Sequence, residues 1–358
     1  MLNFPKRSKR GLIGLDISAS AIKLLELSLG PDGYVVERYG AEPLPENALV
    51  EQEIVDIEAV SNAIKRLKAS TKAKSKAVAV AVAGSAVITK IIEVPASLKE
   101  DQIEEQLLLD ADQYIPYPLD EVALDFQVLE ESSRSSELVE VLLAACRREH
   151  IESRQATVEV AGLEAEVIDI EAHCVQRAIS LDLDLFVGEG ADAGKDVLAI
   201  VDIGAEMMTL SVVSGSEVHY TREQMFGGKH LTDDIQNKYG LTKSEAGYAK
   251  KFGGLPEDYE EALLNPFKEA LLQQLTRSLQ FFYSATAFNQ VDRIVLAGGT
   301  ANLDGLADFI GSKLGTPCNI ANPFDNMLIN DRVDEDQLLK DAPAMMIACG
   351  LAMRGFDR

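Results

Sequence analysis

Residues 13–27 read IGLDISASAIKLLEL, and residues 199–213 read AIVDIGAEMMTLSVV. With Asp16 laid on Asp202, each stretch runs apolar strand, Asp, aliphatic residue, small pair and second apolar strand. The two lie about half of the 358-residue chain apart. One strand ending in Asp is ordinary in a buried sheet. Two in the same arrangement imply an internal repeat, and a repeat constrains the fold more than any local feature does. A third element follows the pair: RIVLA, residues 293–297, runs straight into Gly298-Gly299-Thr300 and a helix start.

The residue types in this triple have a shared chemistry. A turn of small residues lets backbone N–H groups approach phosphate oxygens with no side chain in the way. An Asp at the end of each preceding strand projects into the space between two lobes, where it can hold magnesium through the metal's water shell. The Gly-Gly turn between strand and helix offers a third close approach, suited to an α-phosphate and adenosine. Ordinary strand ends and tight turns would account for either hairpin alone. The triple in this order points to a nucleotide.

Working outward, the first hairpin continues into YVVERYGAEPL (34–44) after the Pro31-Asp32-Gly33 turn. Residues 54–70 place Ile57, Val60, Ile64 and Leu67 on one helical face, and KAVAVAVAG (76–84) reads as a strand. Past Pro95 an acidic amphipathic helix (98–115) ends at Pro116 and Pro118. Strands VALDFQVLE and LVEVLLAAC, a helix over 147–162 and strand EAEVIDIE then complete a βαβ-like insert. The segment 182–196, DLDLFVGEGADAGKD, reads as a linker. Its GADAGKD mimics a phosphate loop, but Asp196 stands where Ser or Thr must meet magnesium and Glu189 stands where the first glycine belongs. In the second half, helices are expected at 230–239, 243–252 and, as one long element, 256–288, with an apolar helix at the C-terminal end.

The formal net charge is −24, from 58 Asp and Glu against 34 Lys and Arg. Such a chain repels nucleic acid and anionic lipid, so neither is an expected ligand. Residues 99–140 hold 13 acids and two bases, so nearly half of the excess sits in the insert. The six bases at 65–76 read as a solvated helix end or an interaction patch. Cys146, Cys174, Cys318 and Cys349 form no CxxC pair and have no zinc spacing with the four His, which fits reduced thiols in the cytosol. No apolar run reaches the length of a membrane span, and the basic MLNFPKRSKR start precedes a strand pattern rather than a signal-peptide core.

Together the three motifs resemble those of the actin-like ATPase superfamily. Asp16-Ile17-Ser18-Ala19-Ser20 is similar to its first phosphate motif, with Ser18 in place of the usual glycine. Asp202-Ile203-Gly204-Ala205 is similar to its second, and Leu296-Ala297-Gly298-Gly299-Thr300-Ala301 to its adenosine motif. Six blocks in order resemble one family within it, the PilM proteins of type IV pilus assembly. They are GLDISASAIKLLELS, DQYIPYPLDEVALDFQVL, AGLEAEVIDIEAHCVQRAI, VDIGAEMMTLSVV, GGKHLTDDIQNKYGLTKSEAGYAKKFGGLP and RIVLAGGTANLDGL.

The resemblance implies an α/β fold of two duplicated ribonuclease-H-like lobes around a nucleotide cleft, with an FtsA-type inserted subdomain. It divides the chain into a first lobe (1–95), an insert (96–160), a return with the interlobe helix (161–190), a second lobe (191–344, helices about 228–290) and a C-terminal helix (345–358). It implies ATP or ADP with magnesium, the metal beside Asp16 and Asp202. It also implies that the insert and the first lobe form a groove for the N-terminal cytoplasmic tail of the membrane protein PilN. Motor ATPases and further copies of the chain are additional partners on this reading. The protein would work in the cytoplasm at the inner face of the inner membrane, reaching the membrane only through partners.

Residue by residue, the resemblance places Ser18, Ala19, Ser20, Lys23, Gly204, Ala205 and Glu206 on the two phosphate turns. Lys23 faces phosphate or is a plain strand lysine. Gly227, Gly228 and Lys229 begin the helix that approaches ribose or phosphate, Glu245 and Lys250 lie on the helix flanking the nucleoside, and Gly298, Gly299 and Thr300 meet adenosine. Glu171, at the start of the interlobe helix, matches the position of the water-positioning acid; a helix-start Glu favoured by the macrodipole is the plain alternative. Two other functions use the same fold. A filament of FtsA type needs its own membrane-targeting helix, and the chain stops at MRGFDR, straight after a core helix. A sugar kinase needs a catalytic Asp and a polar sugar pocket, for which the sequence carries no specific sign.

Overall fold

The computed structural model describes residues 11–131, 135, 137–181, 196–215 and 217–357. The basic N-terminal cluster, most of the 131–137 loop and the 182–195 part of the linker, including most of its false phosphate loop, fall outside these residues.

β1 (Ile13–Ile17) is buried along its whole length. It turns into β2 (Ala21–Gly30) and then β3 (Gly33–Pro43), all antiparallel. A two-residue hairpin, β4 (Leu49–Val50) and β5 (Glu53–Ile54), leads to α1 (Ile57–Thr71). Asp56 caps α1 by accepting from Ala59 N–H at 2.9 Å, and Lys72 closes it in the left-handed region at φ 57°. Val60, Ile64 and Leu67 are buried, as the spacing predicts, whereas Ile57 in the first turn remains exposed. β6 (Ala77–Val82) then pairs with β1 in parallel.

A 3₁₀ turn, Gly84–Ala86, passes the chain to β7 (Val87–Pro95), α2 (Glu100–Asp110), β8 (Val122–Glu131), β9 (Leu138–Arg147) and α3 (Arg148–Val160). The three strands form a separate antiparallel sheet, ordered β7-β9-β8, over a small core of Val94, Ile103, Leu107, Val122, Val141 and Leu143. This differs from the expected βαβ-like arrangement. The short β8–β9 connection allows only a hairpin, so β9 enters between the two strands that α2 joins.

β10 (Glu164–Ile170) returns to the first sheet beside β6 and leads into α4 (Glu171–Ile179). The second lobe repeats the scheme. β11 (Val197–Ile203), β12 (Met208–Ser214) and β13 (Glu217–Gln224) form an antiparallel meander, and β14 (Arg293–Ala297) and β15 (Cys318–Ile320) add in parallel. The sheets read β10-β6-β1-β2-β3-β16 and β13-β12-β11-β14-β15, with β16 (Leu328–Ile329) the one addition. The repeat in sequence is thus a repeat in topology.

Helices α5 (Gly228–Tyr239), α6 (Lys243–Phe252) and α7 (Asn265–Ala285) follow β13. The single long helix expected over 256–288 runs without interruption over 259–285, with a π turn at Glu260–Leu264. Pro266 has no N–H to donate back one turn, so the bonding widens just before it. α8 (Leu306–Leu314) and α9 (Glu335–Asp341) precede the apolar α10 (Met346–Met353), which is buried at Met346 and throughout 348–353. At about 1.5–3 kcal/mol for each large buried side chain, α10 is a main stabilising element. Its core joins Leu25, Leu27 and Val36 of the first sheet to Leu198, Ile200 and Val295 of the second. No helix among the described residues is long and apolar enough to cross a membrane.

Candidate functional site

The two hairpin turns share a backbone pattern. Ser18 N–H donates to Ala21 O at 3.1 Å, and Gly204 N–H donates to Met207 O at 2.9 Å. Asp16 pairs in register with Lys23, and Asp202 with Thr209. The Ser18 hydroxyl donates to Ala21 O at 2.8 Å, which gives it a local partner and explains how serine is accommodated where the second turn has glycine.

Asp16 is 2% exposed, and Lys23 Nζ donates to its Oδ2 at 2.6 Å. Lys23 is therefore a largely buried, ion-paired lysine rather than an exposed strand one. Burial pulls its pKa down, but Asp16, Asp202 and Glu171 together outweigh this and hold it above the ordinary lysine value. Asp202 is pushed up to about 6 by burial, opposed by Lys23 and reinforced by the Asp16 charge. Glu171, the first residue of α4, is pushed up to about 8 by burial and then by Asp16, Glu223 and Asp202, with Arg154 opposing. Three carboxyl groups thus act on one lysine, Asp16 by direct contact and Asp202 and Glu171 through their charge.

The other predicted residues converge on the second turn. Gly204 O accepts from Gly228 N–H at 2.9 Å and from Thr300 Oγ1 at 3.0 Å. Ala205 O accepts from Lys229 N–H at 2.8 Å, and Ile203 O from Thr300 N–H at 3.1 Å. Gly298, at φ +83°, lies so close that a Cβ would stand 2.4 Å from Asp202 Oδ1. Gly227 is equally enclosed, a Cβ there falling 2.5 Å from Ala205 O. Gly299 is exposed and open. Lys229 bridges to Glu206 at 2.8 Å across the rim.

Two predicted residues are engaged within the second lobe. Lys250 Nζ donates to Gly228 O at 2.8 Å and Thr232 Oγ1 at 2.7 Å, and burial lowers its pKa to about 8. Glu245 Oε2 accepts from Thr242 N–H at 2.8 Å and from its hydroxyl at 2.6 Å, a capping box that starts α6. Ala19 is half-buried and Ser20 exposed in the first turn.

Sequence reasoning missed Arg154, Gln52, Ser85 and Glu223. Arg154 is buried on α3, where its guanidinium donates to Ala81 O at 2.6 Å and Gln52 O at 3.2 Å. A charged residue on the buried side of a helix, next to Thr157 and Val158, was its only available signal. Glu223 sits in the polar run TREQ and reaches its partners only through tertiary packing.

Among the described residues no three His, Cys, Asp or Glu side chains come together as direct metal ligands. Asp16, Asp202 and Glu171 nevertheless suit a hydrated magnesium ion. They are hard oxygen donors, and the raised values of Asp202 and Glu171 mark buried carboxyls short of positive charge. A separate groove of about 520 Å³ lies on the small sheet, lined by Glu100, Asp101, Glu104 and Asp125 against one base, Arg148, over Leu107 and Phe126.

Two lobes of one topology, each presenting a strand, an Asp and a small-residue turn, define the actin-like ATPase fold. Solved structures share it at low identity. The ethanolamine utilization protein EutJ from Carboxydothermus hydrogenoformans is 15% identical with TM-score 0.55, over 96% of this chain and 89% of that one. MreB5 of Spiroplasma citri bound to ADP is 14% identical with TM-score 0.50, over 95% of this chain and 94% of that one. The model of the family described as type IV pilus assembly protein PilM matches residues 14–356, and the chain belongs to that family. A solved "PilM-PilN type IV pilus biogenesis complex" is 29% identical with TM-score 0.81, over 98% of this chain and 100% of that one.

Proposed function

We propose that the cleft binds ATP or ADP with magnesium and that the protein is a nucleotide-binding scaffold of pilus assembly, docking the N-terminal cytoplasmic tail of PilN. The observation that carries the nucleotide reading is the pair of Asp-plus-turn hairpins, the first holding Lys23 on Asp16 and the second interlocked with the Gly298–Thr300 turn. The turns at 18–20 and 204–206 would hold the phosphates, with Lys23 offering them a positive charge. Asp16 and Asp202 would hold the metal through its water shell. Magnesium supplies charge neutralisation of the phosphates when bound. Gly227, Gly228 and Lys229 approach the sugar and phosphate side, and Gly298, Gly299 and Thr300 the adenosine side. Glu245 and Lys250 act behind them by starting α6 and tying it to α5.

Glu171 orients a water for hydrolysis. Slow turnover would suit a switch of this kind. The tail reading is supported by the similar chain solved as a PilM-PilN complex and by the acidic groove beside α2, which favours a basic peptide. The same proposal takes residues 96–160 as the partner-binding subdomain, places the protein at the inner face of the inner membrane through PilN, and leaves room for motor ATPases and self-association.

Calorimetric titration with magnesium and a non-hydrolysable ATP analogue tests the cleft. Asp16→Ala and Asp202→Asn should each weaken binding at least tenfold; wild-type affinity in both variants rejects the assignment. Titration with a PilN N-terminal peptide tests the partner, and no binding to the wild-type chain rejects it.

A further inference from the structure

Glu223 lies on β13, opposite Thr209, the second residue of β12, the strand that leaves the second phosphate turn. Its carboxylate crosses to the first lobe. Oε1 accepts from Ser85 N–H at 2.9 Å, and Oε2 accepts from Gln52 Nε2 at 3.4 Å. Ser85 belongs to the Gly84–Ala86 turn, the connection by which the chain leaves the first sheet for β7 of the small sheet. Gly84 leaves room for the carboxylate, since a Cβ there would come within 3.3 Å of Oε1.

Gln52 leads to the other connection. Its backbone O accepts from Arg154 Nη2 at 3.2 Å, and Arg154 Nε donates to Ala81 O at 2.6 Å, at the end of β6. Arg154 is on α3, by which the chain returns from the small sheet. One carboxylate of the second lobe therefore bonds the outgoing connection of the inserted module directly and reaches the returning one through Gln52. The β4–β5 turn that carries Gln52 is itself strained. Glu51 and Gln52 sit at φ 49° and 67°, a pair of left-handed positions that favour glycine or asparagine. Strain kept at a cross-lobe contact marks a place where geometry outweighs local preference.

We propose that Glu223 is a cross-cleft latch through which lobe closure on nucleotide is transmitted to the inserted module, setting its orientation for the partner tail. This rests on the reading of the cleft and the module given above. With the lobes closed, Glu223 holds the Gly84–Ala86 turn and the Gln52–Arg154 pair. With the lobes apart it releases Ser85 and Gln52, and the outgoing connection loses its cross-lobe bond while α3 stays tied to the first lobe through Arg154 and His150. Lys243 and Glu46, paired at 2.9 Å on the surface, form a second cross-lobe contact that touches neither connection.

Hydrogen–deuterium exchange on the full chain, with and without magnesium and AMPPNP, reads the latch directly at residues 84–95. In the wild type, nucleotide should slow exchange there by roughly tenfold, the scale of a charged hydrogen bond to a backbone amide. Glu223→Ala should abolish the slowing, and Gln52→Ala should remove part of it and covers the case in which Glu223→Ala does not fold. Lys243→Ala should leave it intact. A PilN N-terminal peptide should lose the nucleotide dependence of its affinity in Glu223→Ala. Equal slowing in the wild type and both latch variants, or no slowing in a nucleotide-bound wild type, overturns the latch, as does a wild type that binds no nucleotide. A peptide that fails to bind while the exchange pattern holds rejects the partner reading alone.

Discussion

Glu171 shows how the charge of the cleft reaches global stability. Its carboxyl sits at about 8 in the folded chain against 4.5 for the free group, so the folded state binds this proton more tightly than the unfolded state. The resulting stabilisation is complete below about pH 4.5 and is lost as pH rises through about 8. Asp202, raised from 3.8 to about 6, adds a loss in the same direction at lower pH, and the group titrates as a coupled set. The ligand-free protein should therefore melt at a lower temperature at about pH 8 than at about pH 5, and Glu171→Gln should flatten that slope. A melting profile unchanged by the substitution would contradict the burial of this carboxyl. Gly298 makes the second prediction at this scale. At φ +83° with Asp202 Oδ1 and Ile203 O both 2.4 Å from a Cβ, Gly298→Ala should cost about 1–3 kcal/mol in a urea titration and weaken nucleotide binding. The sequence showed both residues as members of motifs, Gly298 by its pattern and Glu171 by its place before a helix. It could not show that three carboxyls act on one lysine, because they come from strands and helices far apart in the chain.

Among the elements, α10 decides how the lobes are joined. It is clamped between β1 and α4 by two glycines with ordinary backbone angles but no free space. A Cβ on Gly14 would lie 2.0 Å from Ala348 O, and one on Gly350 would lie 1.9 Å from Cys174 O. Both obstacles are backbone, which cannot swing aside as a side chain does. Gly350→Ala should therefore destabilise the protein by about 3 kcal/mol or more, or abolish soluble expression, while Gly247→Ala, which meets nothing within 4 Å, should be tolerated. Thermal melting of the two variants separates the cases. Apolar composition revealed α10 as a core helix. Its close approach to β1 and α4 was invisible, since GLIG and IACGL each look like plain apolar text. The π turn before Pro266 and the antiparallel small sheet escaped for the opposite reason: one proline and one short connection overrule an otherwise regular periodicity.

For the whole molecule, closure of two like lobes is the property on which the proposed function depends. A ligand that binds only the closed, folded form at about one hundred times its Kd stabilises by about 2.7 kcal/mol. Magnesium with AMPPNP should accordingly raise the melting temperature by several degrees, and Asp202→Asn should remove the rise. Charge acts at the same scale. Glu100→Lys with Glu104→Lys reverses part of the acidic groove, and should weaken a PilN peptide several-fold at low salt and less at high salt. The duplicated strand–Asp–turn pattern, the Gly-Gly turn and the placement of excess acid were determined by sequence alone, because they depend on residue type and spacing along short stretches. Only tertiary structure decided that Lys23 pairs with Asp16, that Lys250 and Glu245 bond within the second lobe, and that Glu223 reaches the module's outgoing connection. Those contacts join positions as distant as residues 85 and 223, and only the packing of one lobe against the other brings such groups within hydrogen-bond reach.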